Sequence, residues 1–296
     1  MEPKHQYRCN SEDRWLKVGD MDMHYLDWGG SGEPVVALHG LASSCHWYDL
    51  VIPYLTDSFK VVALDQRAHG QTGQPSTGYD WDTLAADVVS ALDQMGIERA
   101  AILGHSWGGS VALSVAALHP DRVSALALID GGFSAGPRSP DMTWEDFKAR
   151  LSPRDIYGPA GRYLGALQRQ FDHCWCDELE HMVMSMVGIN ADGTTYERLQ
   201  PGNHEQVLWA MWSDPTHQKL PQVECPTLIV AGERRPRDGN EEFLRRRQEQ
   251  VSAAQSVIPD CQVAWIADSS HDIGYEKPKE LADALAGFLS SNTTPQ

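Results

Sequence analysis

The 296-residue chain has few basic residues for its size, and this shortage limits its partners. It contains 24 lysines and arginines against 41 acidic residues, which gives a net charge of −17. A surface of this sign repels nucleic acid and anionic lipid. We therefore expect neither nucleic acid nor a membrane as a partner.

Long apolar runs and cysteine-rich patterns are also missing. No stretch approaches the ~20 apolar residues that a membrane-spanning helix needs. The first ten residues are polar and lack the apolar run of a signal peptide. The chain has 6 cysteines, and they are too scattered for a disulfide framework. These absences predict a cytoplasmic protein with reduced thiols.

Buried-type strands alternate with helical segments along most of the chain. After a predicted hairpin over 15–28, apolar strand patterns occupy 34–38, 60–65, 101–103, 123–130, 226–232 and 262–266. Helical patterns occupy 47–55, 80–95, 240–254 and 278–289, and a further helix follows residue 106. This alternation predicts an α/β fold: a mostly parallel, doubly wound sheet of about eight strands with helices on both faces.

The alternation stops near Gly131 and resumes near Val223. Between them glycine and proline are frequent, no buried strand pattern appears, and the apolar residues are large. We interpret 133–221 as an inserted helical cap, and 1–132 with 222–296 as the core domain.

The motif that carries most chemical information is Gly104-His105-Ser106-Trp107-Gly108, which joins an apolar strand to a helix. This pattern is typical of a nucleophile elbow, a sharp turn that projects a serine hydroxyl clear of the sheet. The small residues two before and two after the serine let the backbone turn without a clash. Ser106 is the predicted nucleophile.

Two backbone amides are candidates for an oxyanion hole. The N–H of Trp107 begins the helix after the serine, where free amides favour negative charge. His39-Gly40-Leu41 lies at the end of an earlier strand and suits the second donor. We predict the Leu41 N–H for this role, with Ala42 as the alternative.

A serine hydroxyl needs a base, usually a histidine held by a carboxylate. His271 is the candidate base, because it lies in the loop between the last predicted strand and the last predicted helix. That position brings it to the same sheet edge as Ser106.

The chain resembles the α/β-hydrolase fold superfamily in four motifs. In chain order they are His39-Gly40, Asp65-Gln66-Arg67-Ala68-His69-Gly70, the Ser106 motif and the His271 loop. The resemblance covers 15–130 and 225–289 and implies a hydrolase without a cofactor. Esterases, lipases, lactonases and C–C bond hydrolases share these motifs. Epoxide hydrolases and haloalkane dehalogenases of this fold carry an aspartate at the elbow tip, where this chain has Ser106.

The acid of the triad departs from the family pattern. The family usually places an aspartate where this chain has Arg235, and a cation does not orient the histidine. Asp130, at the end of the strand after the elbow helix, is the preferred acid, because a strand end fixes a carboxylate well. Asp238 is the alternative, with Glu233 as a third candidate.

Five residues are candidates for substrate contact: His39, Trp47, Met184, Trp209 and Trp212. Flexible thioethers and flat aromatic rings suit an apolar acyl or alcohol group. The sequence over 173–181 contains histidines and cysteines but lacks the spacing of a zinc module, so we expect packing and no metal there. The run of arginines at 245–247 predicts a solvated helix face.

We therefore expect a serine hydrolase, monomeric or homodimeric, that cleaves esters of small to medium apolar substrates. The alternatives are a lactonase or C–C bond hydrolase on the same triad, and a small-molecule receptor on a hydrolase scaffold.

Overall fold

The computed structural model describes residues 11–134, 141–151, 156–233 and 241–292. The strands are β1 (Glu12–Val18), β2 (Met21–Asp27), β3 (Pro34–Leu38), β4 (Lys60–Leu64), β5 (Ala100–His105), β6 (Val123–Ile129), β7 (Gly158–Pro159), β8 (Val187–Ile189), β9 (Thr194–Glu197), β10 (Thr227–Glu233) and β11 (Cys261–Ala267). The α-helices are α1 (Trp81–Gln94), α2 (Trp107–Leu118), α3 (Trp144–Leu151), α4 (Ala160–Gln170), α5 (Asp177–Ser185), α6 (Pro201–Ser213), α7 (Glu241–Val257), α8 (Ile273–Glu276) and α9 (Pro278–Asn292). Short 3₁₀ helices lie at Cys45–Tyr48, Ile52–Tyr54, Pro120–Arg122 and Thr216–Gln222.

The main sheet has eight strands in the order β1-β2-β4-β3-β5-β6-β10-β11. The first three strands of this order pair antiparallel, and from β4 to β11 every pair is parallel. The predicted fold, a mostly parallel α/β sheet, is confirmed. The carboxyl ends of β3, β5, β6 and β10 meet at one edge, where ligands of such sheets bind.

The sheet buries an apolar core on each face, and β5 contributes to both. All of its residues are buried. Ile102 packs in the cluster that contains Val111 of α2, whereas Leu103 packs in the opposite cluster with Leu285 of α9. Successive side chains of a strand point to opposite faces, so one apolar run fills two core layers. In the described ranges, no helix is long and apolar enough to cross a membrane.

The structure differs from the prediction at 47–55, where the sequence pattern predicts a single helix. Two short 3₁₀ helices, Cys45–Tyr48 and Ile52–Tyr54, occupy this stretch instead. Pro53 explains the difference, because a proline inside an α-helix removes one N–H donor and clashes with the carbonyl four residues earlier.

The segment 133–221 contains more than the expected helices. Beside α3 to α6 it holds a small antiparallel sheet in the order β7-β9-β8. A tight turn joins β8 to β9, with the Gly193 N–H donating to the Asn190 carbonyl oxygen at 2.9 Å. Gly193 has a φ of 80°, a conformation that favours glycine. The strands of this sheet are too short to show a strand pattern in the sequence.

Candidate active site

Ser106 lies at the turn between β5 and α2, with its backbone in an unusual conformation. Its φ is 53° and its ψ is −118°, a region that costs a residue other than glycine about 1–3 kcal/mol. Two glycines permit the close approach of the surrounding backbone. A Cβ on Gly104 would lie 2.3 Å from the Gly108 carbonyl oxygen, and a Cβ on Gly108 would lie 2.4 Å from that of His39. The backbone at Ser106 thus has the sharp strand-to-helix turn that the sequence predicts.

The loop after β6 packs directly against this turn. A Cβ on Gly131 would lie 2.2 Å from the Ser106 carbonyl oxygen, so only glycine fits between the two backbones. Asp130 precedes Gly131 and has a φ of 49°. This arrangement brings the Asp130 carboxylate to the elbow while leaving its side chain buried, at 6% exposure.

Three side chains form a continuous chain of hydrogen bonds. His271 Nε2 lies 2.8 Å from Ser106 Oγ, and His271 Nδ1 lies 2.7 Å from Asp130 Oδ2. With the imidazole proton on Nδ1, His271 donates to the carboxylate and accepts from the serine hydroxyl. This is the geometry of a nucleophile, a base and an orienting acid.

The other oxygen of Asp130 has partners of its own. Oδ1 accepts a hydrogen bond from the Gly232 N–H at 3.0 Å and forms an ion pair with Arg247 of α7. The guanidinium carbon of Arg247 lies 5.1 Å from the centre of the Phe133 ring. Only 15% of the Arg247 side chain is exposed, so the expected solvated face at 245–247 is wrong for this arginine. Helical periodicity turns Arg247 inward while Arg245 and Arg246 point to solvent.

These contacts set the protonation of the acid and the base. Burial alone would raise the pKa of Asp130, but the hydrogen bond from His271 and the charge of Arg247 outweigh it and hold that pKa below its usual value. Burial alone would lower the pKa of His271, but its hydrogen bond to the Asp130 carboxylate raises it above the usual value. Asp130 is therefore ionised at neutral pH and can stabilise a proton on His271.

Of the proposed acids, Asp238 lies outside the described residues. Glu233 is the last residue of β10, one position beyond Gly232. Among the described residues, the carboxylate that bonds to His271 is that of Asp130.

The backbone of His271 is held by His105, the residue before the nucleophile. The Nε2–H of His105 donates to the His271 carbonyl oxygen at 3.0 Å. Its ring stacks on Trp47 with 3.9 Å between the centroids and 12° between the planes. Burial and the nearby His271 lower the pKa of His105 well below its usual value, so this donor is a neutral imidazole. His105 thus links the elbow to the loop of the candidate base.

The two segments that carry the predicted oxyanion amides, the start of α2 and the loop after β3, lie next to Ser106. Trp107 is the first residue of α2, where backbone N–H groups lack partners within the helix. A Cβ on Gly40 would lie 3.2 Å from the Ser106 Cβ, so the loop that continues into Leu41 touches the nucleophile. Ala42, the alternative donor, has a φ of 54°. Assignment of Leu41 and Trp107 as the oxyanion donors stays a prediction.

His39 lies beneath the site and is fully buried. Its Nδ1–H donates to the Gly40 carbonyl oxygen at 2.7 Å, and its Nε2 accepts from the Gln66 N–H at 3.1 Å. Both ring nitrogens therefore support the loops that carry Gly40 and Gln66. In this position His39 braces the backbone and offers no ring nitrogen to a substrate.

A cavity of about 1120 Å³ opens at Ser106 and His271. Apolar side chains that line it include Met142, Leu151, Met211 and Phe243. Charged groups at its boundary include Arg150, Arg246 and Glu249. A lining of this kind suits an apolar group held near a polar reaction centre.

None of the five predicted substrate-contact residues is among the described residues that line this cavity. Trp47 is buried at 1% exposure under His105. Met184 packs against the apolar cluster that contains α9. Trp209 lines a separate cavity of about 540 Å³, and Trp212 packs on Phe147 with 5.3 Å between ring centroids.

Sequence reasoning therefore missed most of the cavity lining. Phe243 lies in a mostly charged and polar helix, where a single apolar residue does not indicate a substrate contact. Met211 is one of the large apolar residues of 133–221, but the direction of its side chain depends on how α6 packs.

Comparison with known proteins agrees with this fold. Residues 33–278 match the family model for the alpha/beta hydrolase fold. The solved structure of E-2-(acetamidomethylene)succinate hydrolase superposes with a TM-score of 0.77 at 21% identity and covers 95% of this chain and 99% of that one. At that identity the likeness concerns the fold alone.

Three curated relatives differ in their named activities. The soluble epoxide hydrolase of Corynebacterium sp. (strain C12) is 41% identical over 108 residues, which span 36% of this chain and 37% of that protein. The non-heme chloroperoxidase of Streptomyces lividans is 37% identical over 71% of this chain and 78% of the relative. The bifunctional esterase/perhydrolase of Acinetobacter calcoaceticus is 33% identical over 72% and 78%.

These matches, together with the sheet and the elbow, define the class of the protein. The chain belongs to the alpha/beta hydrolase family of enzymes.

Proposed function

We propose that this protein is a serine hydrolase that cleaves carboxylic esters of small to medium apolar substrates through an acyl-enzyme. The observation that carries the proposal is the continuous hydrogen-bond chain from Ser106 through His271 to Asp130. No aspartate stands at the elbow tip, so the ester bond is attacked by a hydroxyl rather than a carboxylate.

The first half of the reaction forms the acyl-enzyme. As Ser106 Oγ attacks the ester carbonyl, its proton passes to His271 Nε2, 2.8 Å away. The imidazolium that forms is stabilised by Asp130, whose carboxylate stays ionised. The Leu41 and Trp107 amides are proposed to hold the developing oxyanion, each contributing ~3 kcal/mol to barrier lowering. His271 then protonates the leaving alcohol.

In the second half, water replaces the alcohol. His271 takes a proton from the water, which attacks the acyl carbonyl, and the second tetrahedral intermediate releases the acid and restores the Ser106 hydroxyl. No cofactor takes part in this scheme.

The surroundings of the triad support an apolar substrate. Met142, Leu151 and Met211 all come from 133–221, which supports the proposal that this segment acts as a cap over the core domain. The Acinetobacter calcoaceticus relative is named as an esterase and perhydrolase, and an acyl-enzyme on a serine accounts for both activities. We propose a small-molecule ester as the partner and a cytoplasmic location, supported by free thiols at Cys45, Cys174, Cys176, Cys225 and Cys261.

A panel of p-nitrophenyl esters and lactones of graded acyl length tests the proposal. Replacement Ser106→Ala is expected to reduce kcat about 10⁶-fold, as loss of a triad nucleophile does. The matched control is Ser110→Ala, because Ser110 also lines the cavity but lies one helical turn beyond the nucleophile.

The outcomes separate the candidates. Equal rates of ester hydrolysis by the parent protein and the Ser106→Ala variant would contradict the proposed role of Ser106 as the nucleophile. Rapid lactone opening with poor ester turnover indicates a lactonase. Saturable binding of an ester analogue without turnover indicates a receptor.

A further inference from the structure

A second group of chemically competent side chains lies where the core meets segment 133–221. His46 and Asp49 belong to the turn around the 3₁₀ helix Cys45–Tyr48, and His181 belongs to α5. His46 Nδ1 lies 2.9 Å from Asp49 Oδ2. The rings of His46 and His181 meet edge to face, with 4.7 Å between centroids and 88° between planes.

We propose that His46, Asp49 and His181 bind one divalent transition-metal ion at this junction. One nitrogen of each imidazole and one carboxylate oxygen all lie within 4.8 Å of one another. Two imidazoles and a carboxylate are a ligand set that suits Zn²⁺ and its neighbours in the first transition series.

The spacing is close to what coordination requires. Ligand atoms at ~2.0–2.1 Å from a tetrahedral Zn²⁺ are about 3.3 Å apart, so no pair of ligand atoms has to close by more than about 1.5 Å. His181 is on the surface and can supply this movement by side-chain rotation, whereas Asp49 is buried and held in place. Surface access at His181 also gives the ion an entry route.

The local charge favours a cation. The Asp49 carboxylate is buried directly beside His46 and places a negative charge at the site. Imidazole nitrogens bind a metal ion only when they carry no proton, so metal binding releases protons and weakens as the pH falls.

A neighbouring group of similar composition does not share these properties. His24, Cys45 and Asp65 also lie together, but all three are buried. Asp65 is already held by His24 at 2.7 Å and by the Cys45 and Gln71 N–H groups at 2.7 and 2.9 Å. Burial and the Asp65 charge raise the pKa of the Cys45 thiol well above its usual value, so it keeps its proton. This group stabilises the loop after β4.

The proposed metal site is independent of the proposed esterase chemistry. None of its three residues lines the Ser106 cavity in the described part of the chain. A bound ion would join α5 to the turn at His46, beside the existing contact between the hydroxyls of Ser44 and Ser185 at 2.6 Å. The expected effect is a tighter attachment of α5 to the core.

Titration of Zn²⁺ alone into untagged protein treated with chelator tests the proposal. Calorimetry is expected to show one ion bound per chain, with proton release, and the thermal midpoint is expected to rise with Zn²⁺ concentration. Replacement His181→Ala should weaken this binding at least ~10-fold, because one of three ligands is lost. Bound Co²⁺ should give the visible absorption of a tetrahedral site in the parent protein.

Three controls make the result decisive. His173→Ala removes another exposed histidine, one that contacts Glu276 at 3.2 Å, and should leave Zn²⁺ affinity unchanged. Cys174→Ser removes the thiol of the residue that follows His173 and should also leave Zn²⁺ affinity unchanged. Ser106→Ala should abolish ester turnover without changing Zn²⁺ binding. The proposal is overturned if the parent binds no Zn²⁺, if His181→Ala binds as tightly as the parent, or if either His173→Ala or Cys174→Ser loses the site.

Discussion

Removal of the Arg247 guanidinium tests how Asp130, the proposed acid of the triad, is held. Arg247 and the Gly232 N–H occupy Asp130 Oδ1, while His271 occupies Oδ2. Replacement Arg247→Met keeps the unbranched apolar stem of the side chain but deletes the guanidinium, and with it the charge and the contact with Phe133. Both members of the ion pair are largely buried, at 15% and 6% exposure.

The expected loss of stability follows from this burial. Removing one partner of a buried ion pair leaves the other charge uncompensated, which costs about 3–5 kcal/mol. Because the Gly232 N–H and His271 still bind Asp130, we expect the lower end, about 3 kcal/mol in the free energy of unfolding. Urea unfolding at neutral pH measures this loss.

Arg247→Met should also change the dependence of kcat on pH. His271 acts as a base only when neutral, so kcat falls as the pH falls through its pKa. Asp130 and Asp272 raise that pKa, whereas the charge of Arg247 lowers it. In Arg247→Met the pKa of His271 therefore rises, and the acid limb of the kcat profile moves to higher pH.

A matched arginine on the same helix provides the control. Arg245 is 64% exposed and bonds to Glu249 at 2.9 Å, so Arg245→Met should leave both stability and the acid limb nearly unchanged. An acid limb at the same pH in Arg247→Met and the parent enzyme would refute the reasoning. The reasoning would also be refuted if Arg247→Met had the same free energy of unfolding as Arg245→Met.

Two further substitutions test the role of Asp130 in turnover and the contribution of Asp65 to stability at low pH. Asp130→Asn should lower kcat ~10⁴-fold and also lower the free energy of unfolding, because it leaves the buried Arg247 charge without its partner; near-normal kcat would exclude Asp130 as the triad acid. Although burial would raise it, the hydrogen bonds from His24 and from the Cys45 N–H lower the pKa of Asp65 to about 2. In unfolded chains an aspartate titrates near ~3.9, so stability present above that pH, about 2 kcal/mol, is lost as the pH falls toward 2. Asp65→Asn should remove this loss from urea unfolding measured between these pH values; an unchanged slope contradicts it.

The parts of the site that the sequence predicts well are those determined by local backbone chemistry. The strand, serine and glycines around Ser106 form one continuous stretch, so their geometry follows from steric requirements within a single turn. The position of His271 follows from the parallel topology, which brings loops after successive strands to one edge.

Other features depend on contacts between distant parts of the chain. The sequence alone left Asp130 beside two alternatives, because the contact between Gly131 and Ser106 appears only when the sheet is assembled. The inward direction of Arg247 depends on the rotation of α7 about its axis, and so does the position of Phe243, which is 59% exposed and lines the cavity. The grouping of His46 with His181 depends on where α5 packs.

The close packing of Gly131 on Ser106 has a consequence for how this chain can vary. Ser106 and Asp130 are carried by one β5–α2–β6 unit, and segment 133–221 begins only after that unit is complete. Insertions, deletions or exchange of that segment would reshape the cavity wall without passing through the backbone that sets the distance from Ser106 to Asp130. The part of the cavity wall that comes from 133–221 and the backbone that places Ser106 beside Asp130 therefore lie on separate stretches of the chain, and that part of the wall is the one to recombine in a search for new substrates.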